Sequence, residues 1–258
     1  MAEQRPRQTH RLRRDGELIT KTYRSWSRDE HRREWAVLER LATRRPGLAP
    51  EPVRADLEAE PPSITMTAIP GAAISGRWSD EQVRLLAEAM NRLWSTPYDG
   101  LPPLDMYQPG YWRDLVAGSD RPTSGIAMQA YDIATGWVAG PDVARLLDGR
   151  FDVLGHGDPQ PGNLLYDGEQ IRLVDFEDAG AGDLCFELAN LAEHLGTRLA
   201  GLDRVVGLVD HDPRRYLLFR RLLAVFWLIK LLPDPTGVRP PRTAELRDQS
   251  LRLLDLFG

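Results

Sequence analysis

The chain has 258 residues and a mass of 29.1 kDa, with 42% hydrophobic and 28% charged residues, enough for one large or two small folded domains and too apolar for a disordered chain. Its formal net charge of −5 argues against a general nucleic-acid binder, and no apolar run approaches the roughly 18 residues of a membrane helix. A single cysteine, Cys185, excludes an internal disulfide and a cysteine-based zinc site.

The first segment, MAEQRPRQTHRLRR, lacks the apolar core of a signal peptide, so a cytoplasmic protein is expected. Its arginines (Arg5, Arg7, Arg11, Arg13, Arg14) read as a solvated edge strand, with nucleic-acid contact as the alternative. Residues 7–24 read as a hairpin turning at Asp15-Gly16. Ser27 and Glu30 have capping-box spacing and predict a helix running to Pro46-Gly47. Within it Glu34 extends the apolar stripe of Leu38 and Leu41, which turns its carboxylate inward and calls for a cationic partner. SITMTAIPG then reads as a short apolar strand ending at Pro70-Gly71, where a small α+β lobe, residues 1–71, is expected to end.

Residues 72–150 are predicted to be mainly helical, with Ser79 and Gln82 capping a helix through Leu93. The region is rich in aromatics (Trp78, Trp94, Tyr107, Tyr111, Trp112, Tyr131, Trp137), open to core packing or to a cage for a ligand cation. An apolar strand then enters His156-Gly157-Asp158, and NLLYDGEQIRLVDF makes a hairpin around Asp167-Gly168. The last third is helical: YLLFRRLLAVFWLIKLL is apolar on nearly all sides and TAELRDQSLRLLDLFG is amphipathic.

The stretch from 155 to 178 carries the chemistry. Asp158 sits in a stiff loop rich in Pro and Gly, Asn163 enters the hairpin and Asp175 leaves it, so an amide oxygen and a carboxylate meet at one end. Hard oxygen ligands suited to Mg²⁺ beside a carboxylate able to take a hydroxyl proton are what phosphoryl transfer requires. His156-Gly157-Asp158 with Asn163, followed by Asp175-Phe176-Glu177, resembles the aminoglycoside phosphotransferase and choline kinase-like family, relatives of the protein kinases.

The resemblance implies a two-lobed α+β protein-kinase-like fold: a shortened nucleotide-binding lobe over 1–71, and a mainly helical lobe over 72–258 holding a catalytic loop (155–163) and a metal loop (174–178). It implies Asp158 as catalytic base, Asn163 and Asp175 as Mg²⁺ ligands, and His156 as a structural loop residue. It implies further that Lys21 holds the α- and β-phosphates with Glu34 as its helix partner, and that Met66, Thr67 and Ile69 form the hinge for the nucleotide base. Lys21 is one of only two lysines in the chain, the other being Lys230. Asp183 matches an acidic residue that braces the catalytic loop, and reads equally as a helix N-cap.

The family's first strand and glycine-rich loop find no match before Lys21. The resemblance implies ATP-dependent (or GTP-dependent) and Mg²⁺-dependent phosphate transfer, and the unmatched loop motivates the alternative, a pseudokinase-like nucleotide- or metabolite-binding module. Only DAGAG separates Phe176-Glu177 from the next helix, which leaves no platform for a peptide and favours a small-molecule hydroxyl acceptor. Glu177, Asp178, Asp183 and Glu187 read either as acids attracting a cationic acceptor, such as an aminoglycoside-like antibiotic or an amino alcohol, or as bracing groups. Asp255 in the last helix is a further expected acceptor contact. The identity of the acceptor, a role in antibiotic resistance or in metabolism, and the oligomeric state are not set by these residues.

Overall fold

Asp15 and Gly16 turn the chain back on itself, with Gly16 at φ 59°, and join β1 (Arg11–Asp15) to β2 (Leu18–Thr22) as an antiparallel hairpin. The computed structural model describes residues 10–233 and 242–258; residues 7–9 of the predicted hairpin, with Arg5 and Arg7 of the basic arm, lie outside the described residues. The chain forms two compact units that interleave in sequence.

The first unit comprises residues 10–74, Leu85–Pro102 and Val153–Ala181. After β2 comes α1 (Glu30–Arg44), and then β3 (Pro52–Asp56) and β4 (Ser63–Thr67) complete an antiparallel sheet of order β1-β2-β4-β3. Val37, Leu38 and Leu41 of α1 are fully buried, each contributing roughly 1.5–3 kcal/mol by leaving water. The register sets Lys21 opposite Leu12 on one side and Ile64 on the other, at the centre of this sheet.

The predicted Ser27 cap does not form. Trp26–Asp29 make a turn instead, Asp29 adopts a left-handed φ of 58°, and α1 starts at Glu30. The cause is tertiary: the Arg28 guanidinium reaches Asp178 at 3.0 Å, while the Arg28 N–H donates to the Glu30 carboxylate at 2.9 Å. Those contacts replace the local box.

The same unit holds one small sheet and most of another, whose last residue, Gly182, opens a stretch of the second unit. β5 (Ala72–Ala73) pairs with β7 (Leu164–Tyr166), which pairs with β8 (Ile171–Leu173), and β6 (Val153–Gly155) lies beside β9 (Gly180–Gly182). Gly71, at φ 114°, lets the chain approach β7; a Cβ there would come within 2.9 Å of the Tyr166 carbonyl. The Leu173 N–H donates to the Leu48 carbonyl at 2.9 Å, which docks the 164–173 hairpin against the end of α1.

α2 (Asp80–Trp94) begins in the second unit and runs into the first. Its predicted capping box is present and reciprocal: the Ser79 N–H donates to Gln82 Oε1 at 2.9 Å and the Gln82 N–H to Ser79 Oγ at 3.2 Å.

The second unit (Ser75–Arg84, Pro103–Asp152, Gly182–Gly258) is helical. It contains α3 (Pro109–Ala117), α4 (Gly125–Val138), α5 (Pro141–Leu146), α6 (Leu184–Glu193), α7 (Leu195–Ala200), α8 (Pro213–Leu231) and α9 (Thr243–Phe257). Leu222, Leu223, Ala224, Val225 and Leu228 of α8 are buried against α6 and α9, as an all-round apolar helix requires. Tyr107, Trp112 and Tyr131 are buried in this core and Tyr111 and Trp137 pack on it, so packing rather than a cation cage accounts for these aromatics. No helix among the described residues is long and apolar enough to cross a membrane.

Candidate active site

Every element that positions the site lies in the first unit. β2 carries Lys21, one turn of α1 carries Glu34, and the 164–173 hairpin carries Asn163 at its entrance and Asp175 at its exit. The Val174 N–H donates to the Asn163 carbonyl at 3.0 Å, so the two predicted metal ligands are tied together by backbone.

Lys21 is only 4% exposed, and its ammonium donates to Glu34 Oε2 at 2.6 Å, to Glu177 Oε2 at 2.8 Å and to Asp175 Oδ1. Burial alone would lower its pKa, but Glu34, Asp175 and Glu177 outweigh burial and raise it, so Lys21 is a fixed positive charge. Glu34, 1% exposed, also accepts the Tyr23 hydroxyl at 2.5 Å on Oε2 and the Phe176 N–H at 3.3 Å on Oε1. Burial pushes the Glu34 carboxyl up, against the pull of Lys21. The inward carboxylate expected from the apolar stripe thus has its cation, and it also grips the metal loop.

Asp158 is partly buried, and burial raises its pKa against the nearby His156. Its Oδ2 accepts from Gln160 Nε2 at 2.8 Å and from Asn163 Nδ2 at 3.2 Å, and Asn163 Nδ2 also donates to the Asp158 carbonyl at 3.0 Å. With its nitrogen committed to Asp158, Asn163 presents its carbonyl oxygen elsewhere. Asp175 adopts a left-handed φ of 70° that aims its carboxylate at Lys21. His156 is fully buried, its Nε2 lies 3.2 Å from the Val174 carbonyl, and its ring packs 5.0 Å from Phe176, a structural place in the loop.

A cavity of about 370 Å³ collects Lys21, Glu34, Asn163 and Asp175 with Met66, Thr67 and Ile69 of the predicted hinge. Leu12, Ile19, Leu165 and Val174 give it apolar walls. Thr67 and Ala68 have committed their N–H groups, to the Glu51 carbonyl at 2.9 Å and the Glu17 carbonyl at 2.7 Å.

Of the acids read as either acceptor contacts or bracing groups, three have partners within the chain. Glu177 is held by Lys21 and His10, and Asp178 by Arg28. Asp183 caps α6 by accepting the Cys185 N–H at 2.8 Å and also accepts from Arg215 Nε at 2.6 Å. Glu187 is 2% exposed, beside Tyr107 in the second unit. Asp255 is exposed on α9. Two site residues were missed in the sequence: Gln160, two residues past Asp158, and His10, which lines the cavity. The spacing in DPQPGN offered a signal for Gln160; nothing local marked His10.

A profile of the phosphotransferase enzyme family matches residues 3–224. The chain belongs to that family. It is a small-molecule kinase by that membership, with the protein-kinase-like fold of its structural neighbours. No curated protein sequence matches the chain. Among solved structures it is similar to a choline/ethanolamine kinase family protein from Mesorhizobium loti, at 18% identity over 97% of this chain and 86% of that one, with a TM-score of 0.68. The GDP complex of wild-type aminoglycoside 2'-phosphotransferase-IIIa is 18% identical over 96% and 88% of the two chains, with a TM-score of 0.62. Choline kinase LicA from Streptococcus pneumoniae is 14% identical over 96% and 89%, with a TM-score of 0.63. At these identities the likeness establishes the fold.

Proposed function

We infer that the protein transfers the γ-phosphate of ATP or GTP, with Mg²⁺, to a hydroxyl of a small molecule. The observation that carries this reading is the gathering of Lys21, Glu34, Asn163, Asp175 and the 66–69 strand end around one cavity. Similarity to a GDP complex supports a purine nucleotide as donor.

Lys21 would hold the α- and β-phosphates as a point charge, kept in place by Glu34 from α1. The donor set fits Mg²⁺: Asn163 has its amide nitrogen turned to Asp158, which leaves a hard carbonyl oxygen, and Asp175 adds a carboxylate. Asn163 and Asp175 would be the residues that hold Mg²⁺, whose positive charge would offset that of the phosphates. Asp158 would orient the acceptor hydroxyl and take its proton; burial raises its pKa, which makes the carboxylate a better proton acceptor. Gln160 and Asn163 fix one carboxylate oxygen by hydrogen bonds, so the group enters the reaction pre-oriented.

The acceptor belongs to the small hydroxyl compounds, among which amino alcohols and aminoglycosides are the first to test. Because Glu177, Asp178 and Asp183 have partners within the chain, neutral polyols belong in the same panel.

Calorimetric titration of ATP and GTP, with and without Mg²⁺, tests the nucleotide site. Wild-type protein should bind in a Mg²⁺-dependent manner, and Asp175→Asn should lose that dependence. Equal binding by the variant would remove Asp175 from the metal site. Binding without any phosphorylated product across the panel would favour the transfer-free binding module.

A further inference from the structure

His10 is a buried imidazole at the wall of the cavity, 5% exposed, and the proposed function gives it no part. Its Nδ1 accepts the Arg24 backbone N–H at 3.2 Å. An acceptor nitrogen carries no proton, so the ring proton of the neutral imidazole sits on Nε2. Nε2 lies 2.5 Å from Glu177 Oε2, so His10 is the donor in that contact. The ring is fixed from the side by Tyr23, 4.7 Å away.

Lys21 donates to the same oxygen, Glu177 Oε2. Its three ammonium protons are thus all committed, to Glu34, Asp175 and Glu177. A phosphate oxygen can reach Lys21 only if one of these contacts is given up. Glu34 is 1% exposed and would be left a poorly compensated buried charge. Asp175 is the proposed metal ligand. Tyr23 would stay on Glu34 Oε2, but that carboxylate is closed off from solvent, whereas Glu177, with 14% of its side chain exposed, keeps the His10 donor on the very oxygen that Lys21 would leave.

We propose that His10 is a positioning residue of the nucleotide site: by donating to Glu177 Oε2 it allows Lys21 to exchange Glu177 for a phosphate oxygen. His10 touches neither phosphate nor acceptor in this arrangement; it acts through Glu177. The inference rests on the reading of Lys21 as the phosphate-binding lysine.

The test is a double-mutant cycle read by ATP affinity in calorimetry with Mg²⁺, with thermal melts to confirm folding. His10→Ala should weaken ATP about tenfold, the worth of one hydrogen bond to a charged group. His10→Gln, whose amide can donate from a similar distance, should recover most of that loss. In the Glu177→Gln background, adding His10→Ala should change ATP affinity less than twofold, because no carboxylate is left to hold. A loss of the same size in both backgrounds would overturn the inference and make His10 a packing residue against Tyr23. Unchanged affinity in His10→Ala would overturn it too. Absence of ATP binding by wild-type protein would instead bring down the nucleotide reading itself, together with this inference.

Discussion

The two units bury charge in opposite ways. In the first, the single cation Lys21 meets three carboxylates, Glu34, Asp175 and Glu177, and the surplus is negative. In the second, one fully buried carboxylate, Glu193, meets Arg220 at 2.7 Å and both fork nitrogens of Arg252 at 2.5 and 2.9 Å, and the surplus is positive. The Glu193 cluster joins α6, α8 and α9, and its guanidiniums are half-buried, so water screens their excess. The Lys21 cluster lines a cavity, where the Mg²⁺ proposed to enter with the nucleotide would balance its negative excess. On this contrast the Glu193 cluster reads as a brace and the Lys21 cluster as the proposed site.

That contrast can be broken from both sides. The largest effect is expected at Asp158: Asp158→Ala should cut turnover by about 10³-fold or more, read by product formation, with the melting curve unchanged. Near-wild-type turnover would remove Asp158 as the base. Next, Glu193→Ala should cost about 2–3 kcal/mol in denaturant unfolding, because it removes the charged hydrogen bonds that tie α8 and α9 to α6 while water screens the two half-buried arginines left behind. Loss of activity without loss of stability in that variant would mean that the cluster is not a brace. The smallest effect belongs to Asp255, exposed on α9 and without an ion pair among the described residues. If it meets the acceptor, as proposed from the sequence, Asp255→Ala should raise the acceptor KM up to about fivefold and leave the nucleotide KM alone. An unchanged acceptor KM would remove it.

Much of the architecture was legible because it rests on short-range chemistry. The Asp15-Gly16 and Asp167-Gly168 hairpins, the Ser79–Gln82 box and the all-round apolar α8 each follow from a few neighbouring residues. That Glu34 needs a cation was legible for a different reason, since a carboxylate on an apolar stripe has to find one, while Lys21 as that cation came from the family resemblance. What local reading missed was set at long range. Ser27 and Glu30 have the same spacing as Ser79 and Gln82, yet Arg28 is drawn to Asp178, 150 residues away, and the box never forms. The acids near the metal loop looked available in sequence because Arg28, Arg215 and His10 are distant in the chain. His10 carries no motif at all; its role exists only once β1 and the metal loop share a cavity.

Asp175 sets its carboxylate on a backbone at φ 70°, a conformation that among the described non-glycine residues only Asp29 shares. A glycine would adopt it freely and an asparagine with less difficulty, whereas an aspartate is disfavoured by about 1 kcal/mol. If Asp175 holds Mg²⁺ as proposed, a copy of this chain released from phosphate transfer would gain stability from Gly or Asn at this single position.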